Sequence, residues 1–180
     1  MRLPARLSGH GLVLRPVRPD DAALVHRLRG DAGLARHLSP VTGGVAGQRA
    51  WIERALTRHD QAYYAIEAAG PGTARPCGLV RLSQVTPERF TWGSWILDPA
   101  TKPRRAALAS ALLVYRAGFA VSAEAVFDVR RGNARTLAFH DRFGARRVGE
   151  TGTDILYRLS RADWTRLVPR LEAALQEVSA

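Results

Sequence analysis

An α+β (mixed α/β) domain is the fold class this 180-residue chain predicts. Three observations point there. Segments of period two alternate with segments of helical period, which builds one sheet with helices laid on it. The first half groups its strands as a meander, whereas the second half runs strand, helix, strand, helix, strand. No linker, internal repeat or low-complexity stretch divides the chain. Residues 1–180 therefore read as a single domain, with a core over about 11–158 and an extra C-terminal helix over about 161–178.

Residues 11–18, GLVLRPVR, alternate apolar and polar and predict the first strand. Pro19-Asp20-Asp21 then opens a helix to about Arg29, with Ala22, Leu24, Val25 and Leu28 as its apolar stripe. A short helical turn fits 31–38, and Pro40 with Gly43-Gly44 makes a loop. Trp51, Ile52 and Leu56 fall at helical spacing in a second helix over 46–58. AYYAIEAA (62–69) and PCGLVRLSQV (76–85) read as strands joined by a turn at Gly70-Pro71-Gly72. The sheet continues at 90–97, and then come helix 104–119, strand 125–131, helix 134–142 and strand 153–159. Ser160 and Asp163 resemble a capping box opening the last helix, which Pro169 should kink or shorten.

Composition excludes several classes. The chain is 46% hydrophobic and 24% charged, as in ordinary globular proteins. No run approaches the 18 or so apolar residues a membrane span needs, so no membrane partner is expected. The start, MRLPARLSGHG, lacks an apolar signal core. Cys77 is the lone cysteine and cannot form an internal disulfide, which suits a cytoplasmic protein. It reads as a small buried residue. The net charge of +11 favours anionic partners. The arginines are scattered, without a basic stripe interleaved with aromatics, which argues against nucleic acid. A homodimer remains open.

Chemistry concentrates in two strand-to-helix units. In the first, Asp98-Pro99 ends strand 90–97, and Pro103 suits the first turn of a helix, where its missing N–H would be unpaired anyway. The N–H groups of Arg104 to Ala109 can then converge on an anion, aided by the helix dipole and by charge-assisted arginine bonds. In the second, Asn133 is a strong N-cap and Gly144 a good left-handed C-cap.

The run Arg104-Arg105-Ala106-Ala107-Leu108-Ala109 resembles the signature Arg/Gln-x-x-Gly-x-Gly/Ala of the GNAT (Gcn5-related N-acetyltransferase) superfamily, with Ala107 in place of the central glycine. Asn133 to Ala145 resembles the pattern Asn-x-x-(Ala/Ser)-x-x-(Phe/Leu)-Tyr-x-x-x-Gly-Phe, with His140 at the Tyr position and Ala145 at the last Phe. The likeness covers roughly residues 11–158. It implies a mostly antiparallel sheet in which strands 90–97 and 125–131 are parallel and splayed, flanked by helices. It also implies acetyl-CoA, or another short acyl-CoA, as co-substrate and a primary amine as acceptor, with no metal. Arg104, Arg105, Ala106, Ala107, Leu108 and Ala109 would hold the pyrophosphate. Asn133 and the backbone of Trp95, Ile96 and Leu97 would meet the pantetheine arm. Relatives with Gly-Ser-Trp and Phe-His-x-Arg-Phe-Gly-Ala at these places resemble amino-sugar N-acyltransferases acting on nucleotide-linked sugars. Ribosomal-protein N-terminal acetyltransferases and non-catalytic acyl-CoA-binding domains are the alternatives.

Thioester aminolysis needs a neutral amine. A lysine-like amine is only ~0.1% neutral at pH 7.4, an equilibrium cost of about 4 kcal/mol. Glu67 and Asp98 are the candidate bases, and Ser94 could hold a water. His140, with an ordinary pKa of about 6.5, could protonate a departing thiolate or donate a hydrogen bond beside it. Trp92, Tyr63 and Tyr64 are candidates for the acceptor side, and strict alternation puts Trp92 and Ser94 on one face and Trp95 on the other.

Overall fold

The computed structural model describes residues 3–70 and 75–176. Its strands are β1 (Leu7–Gly9), β2 (Leu12–Pro16), β3 (Ala62–Ala68), β4 (Pro76–Ser83), β5 (Arg89–Leu97), β6 (Glu124–Arg130), β7 (Arg146–Glu150) and β8 (Asp154–Ser160). Its helices are α1 (Ala22–Gly30), α2 (Gly44–Leu56), α3 (Ala106–Phe119), α4 (Ala134–Phe143) and α5 (Arg161–Gln176), with a 3₁₀ turn at Pro19–Asp21 leading into α1. The strands form one sheet in the order β1-β2-β3-β4-β5-β6-β8-β7. Among the described residues only β5 and β6 are parallel neighbours.

Alternation along the strands feeds two cores. Leu14, Tyr64, Ile66, Val80, Leu82, Phe90 and Trp92 face α3 and α5 together with Phe127, Tyr157 and Leu159. Val17, Tyr63, Ala65, Leu79 and Ile96 face α1 and α2 on the other side. α3 is buried along most of its length. It approaches the sheet closely at Gly118, where a Cβ would lie 2.4 Å from the ring of Phe90.

Two features of the sheet place the site. First, β5 and β6 pair only at Arg89↔Glu124 and Phe90↔Ala125. Beyond these the two strands carry no mutual pairing among the described residues, while β6 stays paired with β8 as far as Arg130↔Asp154. The predicted splay is present. Second, the β4–β5 register shifts between Leu79↔Ile96 and Arg81↔Gly93. Ser94 sits at that bulge with a left-handed φ of 48°. The extra residue inverts the alternation beyond it. Trp92 and Trp95 consequently share a face, their ring centroids 5.2 Å apart, and the expected pairing of Trp92 with Ser94 does not hold.

β1 and β7 went unpredicted for physical reasons. β1 has three residues, and every residue of β7 is exposed, so neither carries an apolar alternation. Both are short, charged or weak edge strands, a form that discourages sheet-to-sheet association. Residues 31–38 form turns rather than a regular helix, with Asp31 Oδ1 accepting the Gly33 and Leu34 N–H groups. Pro169 does not shorten α5, which runs through it to Gln176. Ser160 Oγ accepts the Asp163 N–H at 3.1 Å, as a cap should. The turn expected at Gly70-Pro71-Gly72 and the expected helix end near 178 lie outside the described residues.

Candidate active site

The opening between β5 and β6 is the centre of a continuous groove. Its middle section, about 260 Å³, is walled by Trp92, Ser94 and Trp95 of β5, Phe127 and Asp128 of β6, and Asn133 and His140 of α4. One arm continues along Trp95, Ile96 and Leu97 toward Lys102, Ala107 and Arg135, where α3 begins. It shares His37, Leu38, Trp95, Asn133 and Thr136 with the middle. The other arm passes Arg29, Ser39 and Ser94 to the far side of β5, under α2.

The α3 arm suits a polyanionic ligand. Arg105 is the helix N-cap in a left-handed conformation, φ 63°, and makes no side-chain capping bond. That conformation costs an arginine of order 1 kcal/mol, and such strain gathers at ligand sites. Arg105 Nη1 is buried without a partner among the described residues. Of the N–H groups expected to converge on an anion, two are used internally: Ala106 donates to Pro103 O at 3.2 Å and Ala109 to Arg105 O at 3.0 Å. The first-turn donors that remain are those of Ala107 and Leu108. Ala107 lies in the groove wall, whereas Ala106 and Ala109 are core residues. Arg104 is exposed beside them. Uncapped N–H groups, Lys102 and Arg135 in the wall, and no carboxylate among the described residues lining this arm fit a pyrophosphate.

Asn133 serves two structures at once. Its Oδ1 accepts the Thr136 N–H at 3.3 Å, capping α4, and the residue lines both the middle and the α3 arm. Gly144 closes the helix with φ 99°.

His140 is 3% exposed and is boxed in by the rings of Trp92, Trp95, Phe127, Phe139 and Tyr157. Burial lowers its pKa to about 4, although nearby Asp141 pulls the other way. At neutral pH the ring is uncharged. The imidazolium acid expected from an ordinary histidine is therefore not the resting form, which leaves a neutral N–H donor.

The two expected bases have other work. Glu67 is buried in an ion pair with Arg15 Nε at 2.7 Å, and Arg15 also holds Asp21 at 2.7 Å, away from the groove. Asp98 pairs with Arg27 at 3.0 Å and accepts the Ala100 N–H, which lowers its pKa and makes it a turn cap and a weaker base. Tyr64 faces the α3 core and donates its hydroxyl to Pro4 O at 2.6 Å, so it does not line the acceptor side. Its neighbour Tyr63, on the opposite face, does line the α2 arm. Ser94 Oγ accepts from Arg29 Nη1 at 3.2 Å and stands where the middle meets that arm. Cys77 is buried and its thiol is pushed up to about 11, consistent with an inert core residue.

Asp128 is the residue the sequence reading passed over. It is the one carboxylate among the described residues lining the three sections of the groove. It is exposed and forms no ion pair among the described residues. The signal was available: it is the only acid within VFDVRR, the strand already assigned to the splay. Among the described residues no cluster of metal-ligating side chains occurs, and no helix is long and apolar enough to cross a membrane.

A family model described as the acetyltransferase (GNAT) domain matches residues 11–146. No curated protein matches the chain. Among solved structures, apo FdhC, a nucleotide-linked sugar GNAT, is 31% identical over 92% of this chain and 95% of its own, with a TM-score of 0.82. RimJ of Mycobacterium smegmatis in complex with CoA-disulfide shares the fold at 22% identity, over 96% of this chain and 93% of its own, with a TM-score of 0.73. Spermidine N-acetyltransferase from Vibrio cholerae, in complex with CoA and spermine, shares it at 13% identity, over 87% and 99%, with a TM-score of 0.76.

Proposed function

The chain belongs to the GNAT acetyltransferase family, and on that premise we propose that it moves a short acyl group from acyl-CoA to the primary amine of a small molecule, an amino sugar carried on a nucleotide. The parting of β5 from β6 carries this reading. It leaves backbone donors and acceptors of Trp95 to Leu97 free on the groove side, where amides of a pantetheine arm can pair, and directs a thioester toward Trp95, Asp128 and His140. The sugar-nucleotide class follows from the likeness to FdhC and from the excess of arginine around the groove.

In this reading Asp128 holds the incoming ammonium and accepts its proton, directly or through water. The freed nitrogen bonds to the thioester carbonyl carbon, and the C–S bond breaks with its electron pair going to sulfur. The remaining proton released as the amide forms passes to the thiolate. A backbone N–H of the β5 segment polarises the carbonyl. Neutral His140 donates an N–H toward the sulfur, and the aromatic box around it keeps water away.

Calorimetry with acetyl-CoA and a thiol-release screen test the proposal. The Arg104→Ala/Arg105→Ala double variant should bind acetyl-CoA about tenfold or more weakly. Asp128→Asn should lose about 100-fold or more in turnover while binding acetyl-CoA as the wild type does. The absence of binding by any short acyl-CoA would overturn the enzyme reading. Acetylation of peptide N-termini with all nucleotide amino sugars inert would overturn the acceptor.

A further inference from the structure

We infer that the α2 arm of the groove is the subsite that holds the diphosphate of a nucleotide-linked acceptor, through Arg29, Arg54 and Arg81. The inference rests on the proposed acyl transfer and assigns the part of the molecule that recognises the acceptor's anionic end.

The arm is a cavity of about 480 Å³ lined by these three arginines and, among the described residues, by no carboxylate. Elsewhere this chain pairs its arginines freely: Arg15, Arg27, Arg49, Arg58 and several others each hold an acid within 4.0 Å. The three in the arm hold none among the described residues. Arg29 is spent on neutral groups, Ser94 Oγ at 3.2 Å and Ser39 O at 2.7 Å, with its Nε buried and unpartnered. Arg81 binds the Gln61 amide oxygen and stacks on Trp51 at 5.3 Å, and burial and the nearby Arg58 charge both lower its pKa. Arg54 is exposed. Asp60, itself paired with Arg58, compensates Arg81 only from a distance, and no acid pairs with any of the three among the described residues, so an anion entering the arm is favoured.

A second observation points the same way. Gln48 is 6% exposed, lines this arm, and its side chain makes no hydrogen bond among the described residues. The amide keeps some solvent access at the cavity, and its NH2 can donate to an entering anion. Gln48 sits in the second turn of α2, whose N-cap Gly43 lines the same cavity and supplies no side-chain cap. A phosphate fits this wall better than a carboxylate because it offers three oxygens to several forked donors at once. Trp51 and Tyr63, edge to face at 5.4 Å, supply an apolar border beside the charge. At the other end of the path lies Asp128. The groove therefore presents a cation-binding end and an anion-binding end, joined past Ser94, and selects an amine whose other end is phosphorylated.

The test is made on protein saturated with CoA, so that the α3 arm is filled. dTDP and UDP are titrated by calorimetry into wild type, Arg54→Gln, Arg81→Gln and Gln48→Leu. Binding of one of these nucleotides that weakens about tenfold in Arg54→Gln or Arg81→Gln, with CoA affinity unchanged, is the expected result. Arg54 is exposed, so its variant reports on binding rather than folding. The inference is overturned if neither nucleotide binds, if the arginine variants leave their affinity unchanged, or if succinate at equal concentration competes as well as the nucleotides do. Retained CoA binding in those cases leaves the acyl-transfer proposal standing, and lost CoA binding by the wild type would sink that proposal instead.

Discussion

At the scale of single residues, burial decides which groups can do chemistry. Position 140 was legible as a candidate from its place in the Phe-His helix, but its protonation state was not, because the ring box is assembled from three strands and its own helix. Its lowered pKa has a stability consequence whose sign is fixed. Between the folded value of about 4 and the ordinary 6.5, the unfolded chain binds more protons than the folded one. His140 therefore removes stability as pH falls from about 6.5 to 4, by about 3 kcal/mol in total. Denaturant midpoints measured across this window should fall steeply for wild type and more gently for His140→Gln. Equal slopes would mean that the histidine is protonated in the native state. Glu67 and Asp98 teach the complementary lesson. Either could have been a base by residue type, but their arginine partners, Arg15 and Arg27, come from other elements far off in sequence, and no local pattern announces them.

At the scale of elements, nearly every long helix and strand was readable from period and caps, because each buries one face against one core. What escaped was the bulge. SerTrp within TWGSWILDP reads as uninterrupted alternation, and only the β4 register reveals that Ser94 is extra. The bulge turns Trp95 onto the His140 side and Ser94 toward Arg29, and so builds both arms of the groove. α3 must lie close to β5 where the splay begins, and Gly118 permits it. Gly118→Ala pushes a methyl into Phe90, the last β5 residue paired with β6. It should cost about 1–3 kcal/mol and lower Tm by several degrees. A Tm equal to wild type in thermal melts would show that α3 can shift without penalty.

At the scale of the whole molecule, the sheet is two blocks, β1–β5 and β6–β8, joined by two parallel residue pairs. Sheets normally protect exposed strand edges by covering or charging them. Here two such edges face each other inside the protein. Hydrogen exchange should therefore find groove-facing amides of Thr91–Leu97 and Val126–Arg130 labile in the free protein and slowed by saturating acetyl-CoA. Ligand at 100 times its Kd should add about 2.7 kcal/mol of stability overall. Protection unaltered by acetyl-CoA would place the ligand elsewhere.

The open seam also sets a limit on how this molecule can be strengthened. A designer seeking a sturdier sheet would be tempted to zip β5 to β6 along their full length, since each added rung is a backbone bond gained. Every rung would occupy a donor or acceptor that a passing cargo needs. Rigidity along that line and traffic through it compete for the same atoms. Variants selected for heat resistance alone should accumulate their changes in the two blocks and at the outer edges, and leave the seam ajar.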